Sequence, residues 1–132
     1  MRLYLDASAL VKLVQREPES QALRQYLRQH HRDERVASEL ARVEVVRSVL
    51  AGGPAAVAHA RRLLARLYLV ALDREVLDRA AIVAPSALVH SLDAIHLATA
   101  QLLGADLRAL LTYDARMTQA ASSLGMTVEA PR

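Results

Sequence analysis

The sequence predicts an α/β fold in which a parallel sheet is covered by helices on both faces. Short apolar runs typical of strands alternate along the chain with stretches typical of helices, which is the pattern of such folds. The chain has 132 residues, the usual size of one domain, and 53% of them are hydrophobic. No repeat, low-complexity segment or linker divides it. We therefore expect one domain over residues 1–132.

The first segment predicts a strand followed by two helices. The apolar residues of Arg2–Leu5 indicate the first strand. A helix is predicted over Ser8–Gln15, with Ser8 as its N-cap, and Pro18 ends it. The stretch Glu19–Gln29 follows as an amphipathic helix, because its apolar residues recur on one stripe.

The middle segment predicts two strands with two helices between them. After a polar loop, Arg35–Ala37 reads as a short strand. Ser38 caps a helix that runs to about Leu50, where a pair of glycines ends it. Pro54 suits the first turn of the next helix, which extends to about Arg66. The apolar run Tyr68–Leu72 is the third strand.

The last segment predicts three helices and two strands. Asp73 caps a helix that stops before Pro85. Ser91 caps the nearly all-apolar helix Leu92–Leu103, which we expect to be well buried. The remaining elements are the strand Ala109–Thr112, a helix from Asp114 to Leu124 that ends at Gly125, and the strand Thr127–Ala130.

Composition narrows the possible classes of protein. The balance of 53% hydrophobic and 23% charged residues argues against disorder. There is no cysteine, which excludes disulfides and thiolate metal sites and fits a cytoplasmic protein. No apolar run reaches membrane-spanning length, and the first is too short for a signal peptide. The net charge of +3 permits nucleic acid as a ligand.

Four acids stand at positions where a ligand site is expected. Asp6 follows the first predicted strand and Asp114 the fourth, and ligands of such sheets bind beyond the carboxyl ends of strands. Asp93 lies in the first turn of the apolar helix, and Glu44 lies beside an apolar helix face. Carboxylates there are costly unless they are paired or bound to a metal.

Each acid also has an ordinary structural explanation. Asp6 and Asp114 suit N-caps, Asp93 suits the positive end of a helix, and Glu44 could pair with Arg47 one turn on. Taken as a set, the four acids predict a site for a hard cation, because Mg²⁺ prefers oxygen ligands. The residues alone leave both explanations open.

Four stretches of the sequence resemble the PIN-domain ribonucleases, and most closely the VapC-type toxins of prokaryotic toxin–antitoxin pairs. They are LYLDASALVKL, VEVVRSVL, SLDAIHLATA and LLTYDARMTQAASSLG. The resemblance runs from Arg2 to about Pro131 and includes all four acids. It implies a three-layer α/β/α sandwich with a parallel sheet of about five strands in the order 3-2-1-4-5.

The resemblance also implies a function and a set of site residues. The function is toxic, metal-dependent cleavage of RNA that leaves a 3′-hydroxyl and a 5′-phosphate. The implied acidic pocket consists of Asp6, Glu44, Asp93 and Asp114. Within it, Asp6, Asp93 and Asp114 would hold Mg²⁺, or alternatively Mn²⁺. Ser8 and Thr112 match small hydroxyl residues that line such pockets and support the ligands.

Two further residues and two partners belong to this hypothesis. His96, three residues after Asp93, is expected to pack beside the pocket or support it, and Arg116 is a possible contact to a substrate phosphate. The expected partners are a cognate antitoxin and a second copy of the chain, with no membrane. The apolar stripes of Glu19–Gln29 and Gly53–Arg66 could serve either contact.

Three alternatives stay open. A haloacid-dehalogenase-type phosphatase also begins with an apolar strand and Asp, but it needs a second Asp where Ser8 stands. A phospho-acceptor receiver domain needs a lysine after a late strand, and Lys12 is the only lysine. A PIN domain that only binds a protein partner would keep the fold without the reaction.

Overall fold

The sheet has five parallel strands in the order β3-β2-β1-β4-β5, as a computed structural model of residues 1–132 shows. The strands are β1 (Arg2–Leu5), β2 (Glu34–Ser38), β3 (Tyr68–Val70), β4 (Leu107–Leu111) and β5 (Val128–Glu129). All four strand pairings are parallel. The predicted order 3-2-1-4-5 is therefore confirmed.

Seven helices connect the strands. They are α1 (Ala7–Val14), α2 (Ser20–Gln29), α3 (Ala41–Val49), α4 (Gly53–Ala65), α5 (Arg74–Ile82), α6 (Ser91–Gln101) and α7 (Ala115–Ser123). Single 3₁₀ turns precede α4 and β4, over Leu50–Gly52 and Gly104–Asp106. None of the helices has the length and apolar character that crossing a membrane requires.

The helices form two layers, one on each face of the sheet. Successive side chains of a strand point to opposite faces, so Leu3 and Leu5 pack with α1 to α4 while Tyr4 packs with α6 and α7. Leu110 of β4 joins Tyr4 on the second face. Helix α5 packs outside α6 through small residues such as Ala80. The three-layer α/β/α sandwich is confirmed.

The central strand β1 lies where the strand order reverses. It pairs with β2 on one side and with β4 on the other, and Leu5 lies opposite Leu111. The backbone N–H of Asp6 donates to the carbonyl of Leu111 at 3.2 Å, which extends the pairing by one residue. The residues that follow β1 and β4 therefore leave the sheet side by side, as a ligand crevice at this edge requires.

The predicted cap at Ser8 is wrong, because α1 begins one residue earlier than expected. Asp6 has extended backbone angles and occupies the N-cap position, and its carboxylate accepts the N–H of Ala9 at 3.0 Å. Ser8 lies inside the first turn, where its hydroxyl donates to Asp6 instead of accepting from the helix. Asp6 is therefore a helix cap in addition to being a candidate ligand.

Two other predicted serine caps are also wrong. Ser38 ends β2 and accepts the N–H of Leu40, and α3 begins only at Ala41. Ser91 is the first residue of α6, and the N-cap position belongs to His90, whose side chain makes no capping bond. A serine shortly before a helix is a common pattern, but the turn that joins it to the helix decides which residue caps it.

Two other helix boundaries are confirmed. Asp73 caps α5 by accepting the N–H of Val76 at 3.0 Å. At the end of α7, Gly125 has φ +80°, and the N–H of Met126 reaches back to the carbonyl of Ala121 at 3.1 Å. This left-handed closing turn favours glycine. The remaining boundaries differ from the predicted ones by a few residues.

The apolar stripes proposed for partner contacts are used inside the domain. Leu23 and Leu27 of α2 and Ala60 and Leu64 of α4 are all buried in the core against the first face of the sheet. The stripes therefore stabilise the fold and are not free surfaces. Large apolar side chains are exposed in a different part of the domain, in and between α5 and α6, at Leu77, Ile82, Leu88 and Leu92.

Candidate active site

The four predicted acids occupy the ends of elements around the crevice. Asp6 follows β1 and caps α1, and Asp114 follows β4 and caps α7. Asp93 lies in the first turn of α6, and Glu44 lies in the first turn of α3. Helices that begin near the carboxyl edge of a parallel sheet present their positive ends there, which favours nearby carboxylates.

Asp6 is buried, and both of its carboxylate oxygens are hydrogen-bonded. Oδ1 accepts the N–H of Ala9 at 3.0 Å and the hydroxyl of Ser8 at 2.6 Å, and Oδ2 accepts the hydroxyl of Thr112. Only 3% of the residue is exposed. Burial raises the pKa of Asp6 even though these hydrogen bonds favour the ionised form.

Ser8 and Thr112 join the ends of β1 and β4 around this carboxylate. The hydroxyl oxygen of Ser8 accepts the backbone N–H of Tyr113 at 2.9 Å, and that of Thr112 accepts the N–H of Asp114 at 3.1 Å. Each hydroxyl therefore donates to Asp6 and accepts from the chain after β4. The two residues predicted to line the pocket thus fix the rotation of Asp6.

Asp93 differs from Asp6 because no protein group donates a hydrogen bond to its carboxylate. The residue is half-buried at the start of α6. Burial is the main cause that raises the pKa of Asp93, and the negative charge of Asp114 is the next. Asp6 and Glu44 raise it further. The other three acids therefore lie close enough to Asp93 to disfavour its negative charge.

Glu44 pairs with His96 and not with Arg47. Oε1 of Glu44 lies 2.6 Å from Nε2 of His96, which is 1% exposed. The other ring nitrogen, Nδ1, lies 2.7 Å from the phenol oxygen of Tyr4 in the middle of β1. His96 therefore packs beside the pocket and also contacts one of its acids.

Asp114 and Arg116 have protein partners as well. Oδ1 of Asp114 accepts the N–H groups of Arg116 at 2.8 Å and Met117 at 3.2 Å, which is an ordinary cap of α7. The Arg116 guanidinium turns toward the start of α6, where Nη1 donates to Nε2 of His90 at 2.8 Å. Both partners of that contact are exposed, and each is close in sequence to a pocket acid.

The acids are neighbours, but no three carboxylate or imidazole groups close around one cation-sized space. Asp6, Glu44 and Asp114 each use at least one oxygen to bind a protein donor. Both oxygens of Asp93 and one oxygen each of Glu44 and Asp114 remain without a protein donor. The donor set consists of oxygen atoms, which suits Mg²⁺, an ion that keeps several waters and needs only one or two carboxylates.

Tyr4 is the residue that sequence reasoning missed. The sequence indicates only that Tyr4 belongs to the first strand, yet its phenol is fully buried and begins the series of hydrogen bonds that leads through His96 to Glu44. Its neighbours Leu3 and Leu5 could have indicated this role. A tyrosine between two leucines in a buried strand needs a hydrogen-bond partner for its hydroxyl group.

Comparisons with known proteins agree with this architecture. Residues 3–122 match the family described as PIN domain. Over 129 residues the chain is 57% identical to Ribonuclease VapC46 of Mycobacterium tuberculosis, covering 98% of this chain and 97% of that protein. It is 42% identical over 131 residues to Ribonuclease VapC35 of the same species, covering 98% of this chain and 96% of that protein.

Two crystal structures share the fold at low sequence identity. One is Mycobacterium tuberculosis VapC20, described as a Sarcin-Ricin loop cleaving toxin, with a TM-score of 0.74, 18% identity, and 98% of this chain and 99% of that chain covered. The other is VapBC2 from Rickettsia felis bound to a promoter DNA fragment, with a TM-score of 0.77, 12% identity and full coverage of both chains. By its sequence match and its fold, the chain belongs to the PIN-domain family, among the VapC-type ribonucleases.

Proposed function

We propose that this chain is the toxic endoribonuclease of a toxin–antitoxin pair and that it hydrolyses RNA phosphodiester bonds at the crevice beside β1 and β4. The proposal depends mainly on the environment of the Asp93 carboxylate. Its carboxylate is half-buried, lacks any protein donor and is repelled by three other acids, of which Asp114 has the largest effect. Such an arrangement is costly unless a cation neutralises it.

The cation we propose is Mg²⁺ or Mn²⁺, held by Asp93, Asp114 and Asp6. When bound, it would polarise a phosphoryl oxygen and activate a water for attack. Asp93 and Asp114 have oxygens free of protein donors, so they can turn to the ion without breaking a bond. Asp6 can take part while bound to Ser8 and Thr112, because each carboxylate oxygen has more than one lone-pair site.

The remaining pocket residues would orient these acids and the substrate. Ser8 and Thr112 hold Asp6 in one rotation, and His96 holds one oxygen of Glu44. Arg116, at the rim, would bind a phosphate of the RNA backbone by leaving His90. With the four pocket acids set aside, ten acidic residues remain beside 17 basic ones, so the rest of the surface favours a polyanion.

A cleavage assay with a matched pair of variants tests this function. Purified protein should cut end-labelled RNA with Mg²⁺, leaving 3′-hydroxyl and 5′-phosphate ends, and should stop cutting in EDTA. We expect Asp93→Asn to lower the rate at least about 100-fold, because several kcal/mol of charge stabilisation are lost. Asp106→Asn, in the 3₁₀ turn before β4, removes an acid outside the pocket and should keep the rate.

Cleavage that continues in EDTA, or an Asp93→Asn variant as fast as the original chain, would contradict the metal assignment. A chain that neither cuts RNA nor binds Mn²⁺ in a calorimetric titration would instead be a PIN domain that only binds a protein partner. The two failures are distinct, because the first leaves a nuclease without this metal and the second leaves no nuclease.

We further propose a cognate antitoxin and a second copy of the chain as partners. The stripes of α2 and α4 are buried in the core, so any apolar contact would use other surfaces. Ile82, the last residue of α5, and Leu88, in the loop before α6, are 76% and 85% accessible. Sedimentation of the purified chain tests the homodimer, and Leu88→Ser should weaken the association of the two copies.

A further inference from the structure

Three side chains from different parts of the sequence form one hydrogen-bonded chain that ends at the pocket. Tyr4 in β1 contacts Nδ1 of His96 in α6 at 2.7 Å, and Nε2 of His96 contacts Oε1 of Glu44 in α3 at 2.6 Å. Tyr4 and His96 are almost fully buried, whereas 17% of the Glu44 side chain is exposed. The two buried residues can therefore restrict the orientation of the Glu44 carboxylate, which solvent partly reaches.

The partners of His96 determine which of its ring nitrogens carries a proton. A carboxylate only accepts hydrogen bonds, so Nε2 must donate to Glu44 and must be protonated. Tyr4 keeps its own proton at neutral pH, because the ordinary pKa of a phenol is about 10. The phenol of Tyr4 can therefore donate to Nδ1, and a neutral His96 satisfies both contacts.

The surroundings hold this ring in place. The rings of Tyr4 and His96 meet edge to face, with centroids 5.9 Å apart and planes at 70°. His96 also lies within α6 between residues buried against the sheet, such as Leu97. The imidazole therefore cannot swing away from Tyr4 without disturbing the core, and it presents Nε2 in a fixed direction.

We propose that Tyr4 and His96 are positioning residues for Glu44, in which Tyr4 fixes the Nε2-protonated form of His96 and His96 fixes the Glu44 carboxylate. This inference rests on the proposed function, since it takes Glu44 as an acid of the RNA-cleaving pocket. One oxygen of Glu44 is bound by His96, and the other is left for the site.

Glu44 needs such a restraint because its alternatives are close. It is a flexible side chain in the first turn of α3, and Arg47 one turn later is an available partner of opposite charge. Without the His96 donor, Glu44 would exchange between the pocket, solvent and Arg47. The buried pair thus selects one orientation among several.

A double-mutant cycle separates positioning from a general effect on structure. We expect Tyr4→Phe to lower kcat for RNA cleavage about 10-fold with little change in KM for RNA, because supporting partners of site ligands have effects of this size. Glu44→Gln should lower kcat more, and the double variant should be no slower than Glu44→Gln alone. Tyr26→Phe, a half-buried tyrosine outside the pocket, is the matched control and should keep the original kcat.

If the losses caused by Tyr4→Phe and Glu44→Gln multiply in the double variant, Tyr4 does not act through Glu44 and the inference is wrong. Substitution of His96 gives a second comparison. His96→Gln can place an amide N–H near the position of Nε2, so it should retain more activity than His96→Leu, which has no donor. Equal activity in these two variants would also overturn the inference.

Nitrogen-15 spectra of the histidine rings test the same inference without RNA. His96, assigned by its loss in His96→Gln, should show a protonated Nε2 and an accepting Nδ1 in the original chain, and Tyr4→Phe should show a mixture of ring forms. An Nδ1-protonated ring in the original chain would overturn the inference even if RNA is cut. If the protein shows the predicted ring form but cuts no RNA, the hydrogen bonds from Tyr4 through His96 to Glu44 are supported. In that case only the proposed function is refuted.

Discussion

Asp6 caps α1 and is also a proposed metal ligand, and two substitutions separate these roles. Asp6→Ala removes the cap to Ala9, worth about 1 kcal/mol. It also leaves the hydroxyls of Ser8 and Thr112 without their acceptor, at about 1 kcal/mol each. Relief of the buried charge offsets part of this, so we expect a net loss of about 2–3 kcal/mol in the free energy of unfolding.

Asp6→Asn should keep most of this stability. The amide oxygen can replace Oδ1 and accept from Ala9 and Ser8, so only the bond to Thr112 must rearrange. We expect its free energy of unfolding to lie within about 1 kcal/mol of the original value. Both variants should lose metal-dependent RNA cleavage, since neither has the carboxylate.

The pH dependence of the stability of Asp6→Asn tests the direction in which folding shifts the pKa of Asp6. The folded state raises the pKa of Asp6, so it holds this proton more tightly than the unfolded state does. The original chain therefore loses stability as pH rises from the unfolded pKa through the folded pKa. Asp6→Asn cannot titrate, so its stability relative to the original chain should increase over that interval and then stay constant.

Urea unfolding in EDTA at several pH values measures the free energy of unfolding of both variants and the pH dependence of Asp6→Asn, provided that the m-values stay unchanged. If Asp6→Asn is as unstable as Asp6→Ala, the hydrogen bonds of the cap do not contribute as the structure indicates. If Asp6→Asn is stable and cuts RNA at the original rate, Asp6 is a cap alone and the proposed ligand set is wrong.

Three further outcomes follow from other residues. Mn²⁺ at 100 times its dissociation constant should stabilise the original chain by about 2.7 kcal/mol in thermal unfolding and should stabilise Asp93→Asn much less. Asp33→Ala should lower the free energy of unfolding by about 1 kcal/mol, because Asp33 pairs with Arg108 and the N-terminal amine. The rate of RNA cleavage should be unchanged. Arg108 lowers the pKa of Asp33, so this stabilisation is present above the unfolded pKa and disappears as pH falls through the folded one, as urea titrations would show. Leu110→Ala should lower the free energy of unfolding by about 2–5 kcal/mol, since Leu110 is fully buried in the sheet. Its RNA cleavage rate, divided by the folded fraction of the sample, should be unchanged.

The sequence was sufficient for the elements of the fold, and the family resemblance was needed for their arrangement. Alternating strand and helix patterns are local, so they predicted all five strands and the seven helices within a few residues. The order of strands is a long-range property: Leu5 pairs with Leu111 across most of the chain. No periodicity indicates that pairing, and only the resemblance supplied it.

The site was predicted as a set of residues but not as a set of contacts. Asp6, Asp93, Asp114 and Glu44 come to one region, and the charges that act on Asp93 reflect this. The capping bonds of Asp6 and Asp114 were among the predicted alternatives, because a cap is a local contact. The bonds of Asp6 to Thr112 and of Glu44 to His96 could not be predicted, because their partners are distant in sequence. The N-cap of α1 lies two residues earlier than predicted, at Asp6 instead of Ser8.

The pairing of β1 with β4 has a consequence for how the protein is made. Asp6 is synthesised 106 residues before Thr112, which binds its carboxylate, and the pairing of β4 with β1 can be completed only after Leu111, the neighbour of Thr112. A product of premature termination before residue 111 therefore lacks the groups that complete the crevice. If the chain is the toxin proposed above, a nascent chain that has not reached Thr112 cannot yet hold Asp6 in the pocket.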